Sequence, residues 1–160
     1  MLDIFKFAKA IVFTIKSFEC RVLNPEFLNV SLCGLYGNGR KSSVSTTLHL
    51  LQPPITSANI TIQIGFHDSN SPYLVNATWD LCTIMQNRQR NRSLNRLFNY
   101  VGPYTNFNHS CPYHHDILVR NVSLTKPLVP IPNSAYKVSV EILMNKKYRV
   151  KFNARVDLVN

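Results

Sequence analysis

The feature that most constrains this chain is an alternation of apolar and polar side chains that returns along its length. Ile60, Ile62, Ile64 and Phe66 alternate with Thr61, Gln63 and Gly65. Successive side chains of a strand point to opposite faces, so this run is a strand with one apolar face. Val44, Thr46, Leu48 and Leu50 repeat the pattern more weakly. Tyr136, Val138, Val140 and Ile142 alternate with Lys137, Ser139 and Glu141. Tyr148, Val150, Phe152, Ala154, Val156 and Leu158 then alternate with mostly basic partners. Asn145-Lys146 between these runs reads as a hairpin turn, although it lacks the glycine that usually marks one. Further strands are expected over Ile11 to Phe18, Leu28 to Leu35, Thr78 to Met85 and Ile117 to Val122.

One segment departs from this period. Leu94, Leu97, Phe98 and Val101 recur at helical spacing, with Asn91 or Ser93 as N-cap and Gly102-Pro103 as the stop. Gly37-Asn38-Gly39, Pro53-Pro54 and Pro127 to Pro132 read as turns or loops. About eight strands with turn signals every ten to fifteen residues predict an all-β, antiparallel β-sandwich with one short helix. No internal repeat or domain boundary is visible, and 160 residues suit one domain with a real core.

The cysteines and acceptor sites bear on compartment. Cys20, Cys33, Cys82 and Cys111 are even in number and widely spaced. They form neither a Cys-x-x-Cys motif nor a zinc-finger pattern, which favours disulfides. Four cysteines allow three pairings; Cys20 with Cys33 and Cys82 with Cys111 is the preferred one. The first would staple two neighbouring N-terminal strands, and the second would close the loop that carries the helix. Asn29, Asn59, Asn76, Asn91, Asn108 and Asn121 each open an Asn-x-Ser/Thr glycosylation site. Chance placement at this composition gives about two such sites, fewer than the chain carries. These signals predict a secreted, extracellular glycoprotein. Residues 1–12 then read as a degenerate or truncated signal segment, apolar but broken by Asp3, Lys6 and Lys9, ahead of a sandwich domain over 13–160. No segment is long and apolar enough for a transmembrane helix.

The net charge is +10. No acidic residue falls between Asp80 and Asp116, a gap that holds Arg88, Arg90, Arg92 and Arg96, and a second basic run is Lys146, Lys147, Arg149, Lys151 and Arg155. Such faces attract anionic lipid headgroups, acidic glycans or a receptor, or simply keep a secreted protein in solution. The extracellular signals argue against nucleic acid.

Four blocks, in order, carry a family resemblance: Phe13-Thr14 through Cys20, with Cys33; Tyr73-Leu74 with Asn76, Thr78, Asp80 and Cys82; Asn106 with Asn108-His109-Ser110-Cys111-Pro112; and Pro130-Ile131-Pro132 with Tyr136. Together they resemble a large insect family of secreted proteins known only as a domain of unknown function. That family is related to the ML lipid-recognition superfamily of ganglioside-activator-like and sterol-transfer proteins. Ser134 stands where a turn glycine commonly precedes the tyrosine. The resemblance implies an immunoglobulin-like, ML-like β-sandwich, sometimes with an apolar cavity between its sheets, and no enzyme activity.

The residues themselves carry little catalytic signal. His109, His114 and His115 cluster near Cys111 but lack a carboxylate at ligand spacing, so backbone capping is expected of them and no metal or cofactor. Asp80 has no paired carboxylate or nucleophile nearby in sequence and is expected to make structural hydrogen bonds. No Gly-x-Ser-x-Gly motif occurs. The expected function is therefore non-enzymatic: binding of a small hydrophobic or lipid-like ligand in a gap lined by Ile62, Ile64, Phe66, Leu97, Phe98, Val138, Val140, Val150 and Phe152. Chemosensation or extracellular transport would suit such a carrier. The competing expectations are a closed core made of these same residues, and a protein or acidic-glycan interaction module acting through its basic surface.

Overall fold

A computed structural model describes residues 12–124 and 131–159 of the chain. Most of the expected signal segment, Ile11 of the first expected strand, and Pro127 to Pro130 of the proline-rich loop lie outside the described residues. The elements are β1 (Val12–Val22), β2 (Leu28–Tyr36), β3 (Ser43–Leu50), β4 (Ala58–Phe66), β5 (Val75–Asp80), α1 (Leu81–Gln86), α2 (Arg92–Val101), β6 (Ile117–Val122), β7 (Ser134–Met144) and β8 (Tyr148–Val159). They form two antiparallel sheets, one ordered β1-β8-β7-β4-β5 and the other β2-β3-β6. The expected all-β sandwich is the observed architecture.

The alternating runs build the larger sheet. Ile62 stands opposite Val140, which stands opposite Phe152; Ile64, Val138 and Ala154 form the next row. Directly paired residues share a face, so the apolar sets of β4, β7 and β8 merge into one surface. The β7–β8 hairpin turns at Asn145-Lys146, as the sequence suggests. Both residues have positive φ, 51° and 59°, and Lys147 N–H donates to Met144 O at 3.1 Å. That is the geometry of a type I′ turn, whose twist matches that of the flanking strands.

The strand expected over Thr78 to Met85 ends early. β5 stops at Asp80, whose carboxylate accepts the Thr83 N–H at 3.0 Å and caps α1. An apolar run of this length does not distinguish strand from helix, and the cap decides it. The expected helix is α2, with Asn91 accepting the Leu94 N–H at 3.1 Å and Gly102 at its end.

Both preferred disulfides are present, Cys20–Cys33 and Cys82–Cys111. The first joins β1 to β2, which are neighbours along the chain but edge strands of different sheets, so it staples the sandwich across one side. The second ties α1 to the segment before β6 and closes the loop that carries α2.

The buried apolar side chains, Ile15 apart, fall into two clusters. One packs Leu28, Leu48 and Ile117 of the smaller sheet against Ala58, Met144 and Val150 of the larger, with Leu81, Met85, Leu94 and Phe98 of the helices. The other, Phe13, Tyr136, Val156 and Leu158, has no member from the smaller sheet; Leu124 and Ile131 pack against it instead.

Candidate functional site

Between the two clusters the apolar face of the larger sheet is only half-buried. β7 is flanked on both sides by strands, yet it is buried only at Tyr136 and Met144, 1% and 2% exposed. Val138, Val140 and Ile142 between them are half-buried, as are Ile62, Ile64 and Phe152 on the neighbouring strands. In a closed sandwich the middle of a central strand is its most buried part, because side chains from both sheets interdigitate there. Here that gradient is reversed. Neither cluster contains Ile62 or Val140.

The covering strand bears on this half-burial. At the level of Phe152, β3 presents Thr46, whose Oγ1 lies 3.8 Å from Cys20 Sγ. Thr46, buried in β3 on the same face as Leu48, stands where a closed core would hold a larger apolar side chain, while Ser45 and Thr47 are buried on the opposite face. Phe18 of β1 stacks parallel on Phe152, with ring centroids 6.0 Å apart, and walls one side.

The nine expected lining residues therefore divide. Ile62, Ile64, Val138, Val140 and Phe152 form the half-buried band. Of these, only Ile62 and Val140 touch neither cluster; Ile64 and Val138 pack against the second, as Phe66 does, Phe152 packs against the first, as Leu97 does, and Val150 and Phe98 are buried members of the first. The band offers an apolar surface with no ionisable side chain of its own on that face, suited to dispersion contact and desolvation.

Two polar grooves lie elsewhere. One, of about 270 Å³, runs over the outer face of the larger sheet beside Lys137, Lys151, Arg155 and Tyr73. The other, of about 440 Å³, is formed by Gln86, Asn87, Arg88, Gln89, Asn95 and Asn99 beside the helices. Arg88 and Arg90 occupy a 3-10 turn, and Arg92 and Arg96 the exposed side of α2. None of the four joins an ion pair among the described residues, whereas Arg149 and Arg155 of the second basic run pair with Glu141 and Asp157.

The histidines near Cys111 act locally. His109 and His115 face each other with Nε2 atoms 2.7 Å apart, and their Nδ1 atoms contact the Ser110 and Asp116 carbonyls. Among the described residues no three His, Cys, Asp or Glu side chains converge as metal ligands would. Tyr113 beneath them donates to the Phe107 and His109 carbonyls, and burial pushes its hydroxyl up to about 12. Asn29, Asn76, Asn91, Asn108 and Asn121 are exposed and Asn59 is half-buried.

Sequence reasoning misses one cluster altogether. Ser31, His49 and Asp116 are far apart along the chain and meet on the outer face of the smaller sheet. Hydrogen bonds from His49 and from the Leu50 N–H, together with the nearby His49 and His115 rings, hold the Asp116 carboxyl below its usual range. The only sequence trace is that Ser31 and His49 stand among the polar residues of two strands that pair.

Fold and cysteines together define a disulfide-bonded antiparallel β-sandwich with an apolar band between its sheets. Within that class, the chain belongs to the family described as "Protein of unknown function (DUF1091)", whose sequence profile matches residues 58–138. The match runs from the start of β4 into β7 and includes the helical loop. No curated protein matches the chain. Among the described residues, no helix is long and apolar enough to cross a membrane.

Proposed function

We propose that this chain is a secreted glycoprotein that binds a small hydrophobic or lipid-like ligand between its two sheets, in chemosensation or extracellular transport. The observation that carries the reading is the reversed burial of β7: a central strand buried at both ends and half-open at Val138 and Val140. An apolar chain laid along Ile62, Val140 and Phe152 would remove that surface from water, at about 25 cal/mol per Å². Two disulfides are compatible with an oxidising compartment, and the six acceptor sites fit a glycosylated surface. Membership of an insect family of secreted proteins related to the ML lipid-recognition superfamily, proposed on the four sequence blocks, leads to the same reading.

A second reading has its own observation. Arg88, Arg90, Arg92 and Arg96 lie on a disulfide-closed loop without acidic partners among the described residues, a basic surface suited to a receptor or an acidic glycan. One experiment separates the two. Titration with a fluorescent fatty-acid analogue is expected to saturate the native protein, and Val140→Asp to weaken uptake at least about tenfold by placing a charge in the band. Neutralising the four arginines should leave uptake unchanged. If Val140→Asp folds and still loads the probe, the inter-sheet site is wrong. If the arginine variant alone loses a salt-sensitive binding to heparin, the surface reading takes its place.

A further inference from the structure

The three-stranded sheet carries a hydrogen-bonded chain of Ser31, His49 and Asp116 on its outer face. Ser31 lies in β2, His49 in β3, and Asp116 directly before β6. His49 Nε2 is 2.6 Å from Ser31 Oγ, and His49 Nδ1 is 2.7 Å from Asp116 Oδ2. A carboxylate only accepts, so Nδ1 carries the proton in the neutral ring; Nε2 is then bare and accepts the Ser31 hydroxyl. That is the order of nucleophile, general base and orienting acid used by hydrolytic serines on several unrelated folds.

Each member is held by local structure. Val30 pairs with Leu48 and Leu32 with Thr47, leaving Ser31 without a partner at a β-bulge. Bulges re-aim side chains, and this one brings Ser31 onto the histidine. Asp116 is fixed at both ends: its Oδ1 accepts the Leu50 N–H at 3.0 Å, and its backbone carbonyl accepts Asn106 Nδ2 at 2.7 Å. The side chains of His49 and Asp116 are 38% and 45% exposed and Ser31 is exposed, so a solute can reach the hydroxyl.

We propose that Ser31 is a nucleophilic serine that accepts acyl groups from small carboxylate esters, with His49 as its general base and Asp116 as a positioning residue. Ser31 Oγ forms a bond to the carbonyl carbon while its proton passes to His49 Nε2. Collapse of the tetrahedral adduct breaks the ester C–O bond, and the leaving alkoxide takes that proton from His49. Water then cleaves the acyl-serine, giving its proton to His49, and the carboxylic acid and the free hydroxyl result. Ser31 is exposed on the open sheet face, so the proposed substrates are small, unhindered esters and the reactivity rests on the relay. The proposal is independent of the ligand between the sheets.

The test is modification of the full chain, with both disulfides formed and without glycans, by a fluorophosphonate and by p-nitrophenyl acetate. A glycan on Asn29, which pairs opposite His49, would stand beside the hydroxyl. Peptide mass analysis is expected to place the adduct on Ser31, and Ser31→Ala to abolish it. His49→Ala should slow modification about a hundredfold, with recovery on adding imidazole, which a purely structural histidine would not give. Asp116→Asn should slow it at least about tenfold, and Asp116→Glu should restore part of the rate. No adduct on Ser31, or an adduct that forms equally fast in the His49→Ala protein, overturns the proposal.

Discussion

Asn145 illustrates how much a single side chain organises in this protein. Its Oδ1 accepts from the backbone N–H groups of Thr56 and Ser57 and from the Thr56 hydroxyl, while its Nδ2 donates to Pro54 O at 3.0 Å. It thereby pins the β7–β8 turn to the segment that leads into β4, and it does so at positive φ, which asparagine tolerates better than most residues. Asn145→Ala is expected to destabilise the fold by about 2–3 kcal/mol, since it strands several polar groups at once. Lys146, also in the left-handed region, should respond in the opposite sense, and Lys146→Gly should stabilise by about 0.5 kcal/mol. Urea unfolding of the two variants checks both signs; an unchanged midpoint for Asn145→Ala would contradict this account of the turn. The sequence marks a turn at Asn145-Lys146 but not the side chain's reach to Pro54, because that contact spans 91 residues. Asn106 is a parallel case: its amide bonds the Asp116 carbonyl and the Leu118 N–H, fixing the strand edge beside His49 and Asp116.

At the level of elements, legibility follows the length and regularity of each pattern. β4, β7, β8 and α2 are visible in the sequence because their apolar residues keep one period throughout. β1 runs to Val22, past the expected Phe18, because a bulge between Ile15 and Ser17 breaks its alternation. α1 is misread as strand because six residues hold too few turns to show a helical period, and only Asp80 three residues before Thr83 hints at the cap. The same segment carries the disulfide that closes the helical loop. Loop-closure entropy assigns about 3.5 kcal/mol to Cys82–Cys111 and about 3 kcal/mol to Cys20–Cys33, given separations of 29 and 13 residues. Replacing Cys82 and Cys111 by alanine should therefore lower stability by several kcal/mol and expose the α2 amides to hydrogen exchange ahead of the sheets. Exchange that rises equally in β7 and α2 would instead mean that the loop and sheets unfold as one unit.

Across the whole molecule, what alternation leaves open is whether the inner face is covered. Ile62, Val140 and Phe152 read identically in a closed core and in an open one; the difference lies in the opposing strand. β3 buries Ser45, Thr46 and Thr47, with the Ser45 hydroxyl accepting the Asn121 N–H and the Thr47 hydroxyl accepting from Arg120. Those two hydroxyls serve the smaller sheet itself, and the inward position between them is taken by the short Thr46, which reaches only as far as Cys20. Of the two apolar clusters only one joins the smaller sheet to the larger; the Cys20–Cys33 disulfide links them along one side, and Leu124 and Ile131 pack on Phe13 at the far end. The proposed ligand would lie on the band between.

The most direct measurement is native mass spectrometry of the protein secreted from eukaryotic cells, compared before and after denaturation. Binding between the sheets predicts an extra mass of a few hundred daltons, on the scale of a small lipid-like molecule, that leaves on denaturation and is absent from Val140→Asp. A protein that carries only its glycans before and after denaturation, and takes up no added fatty acid, would contradict the ligand reading.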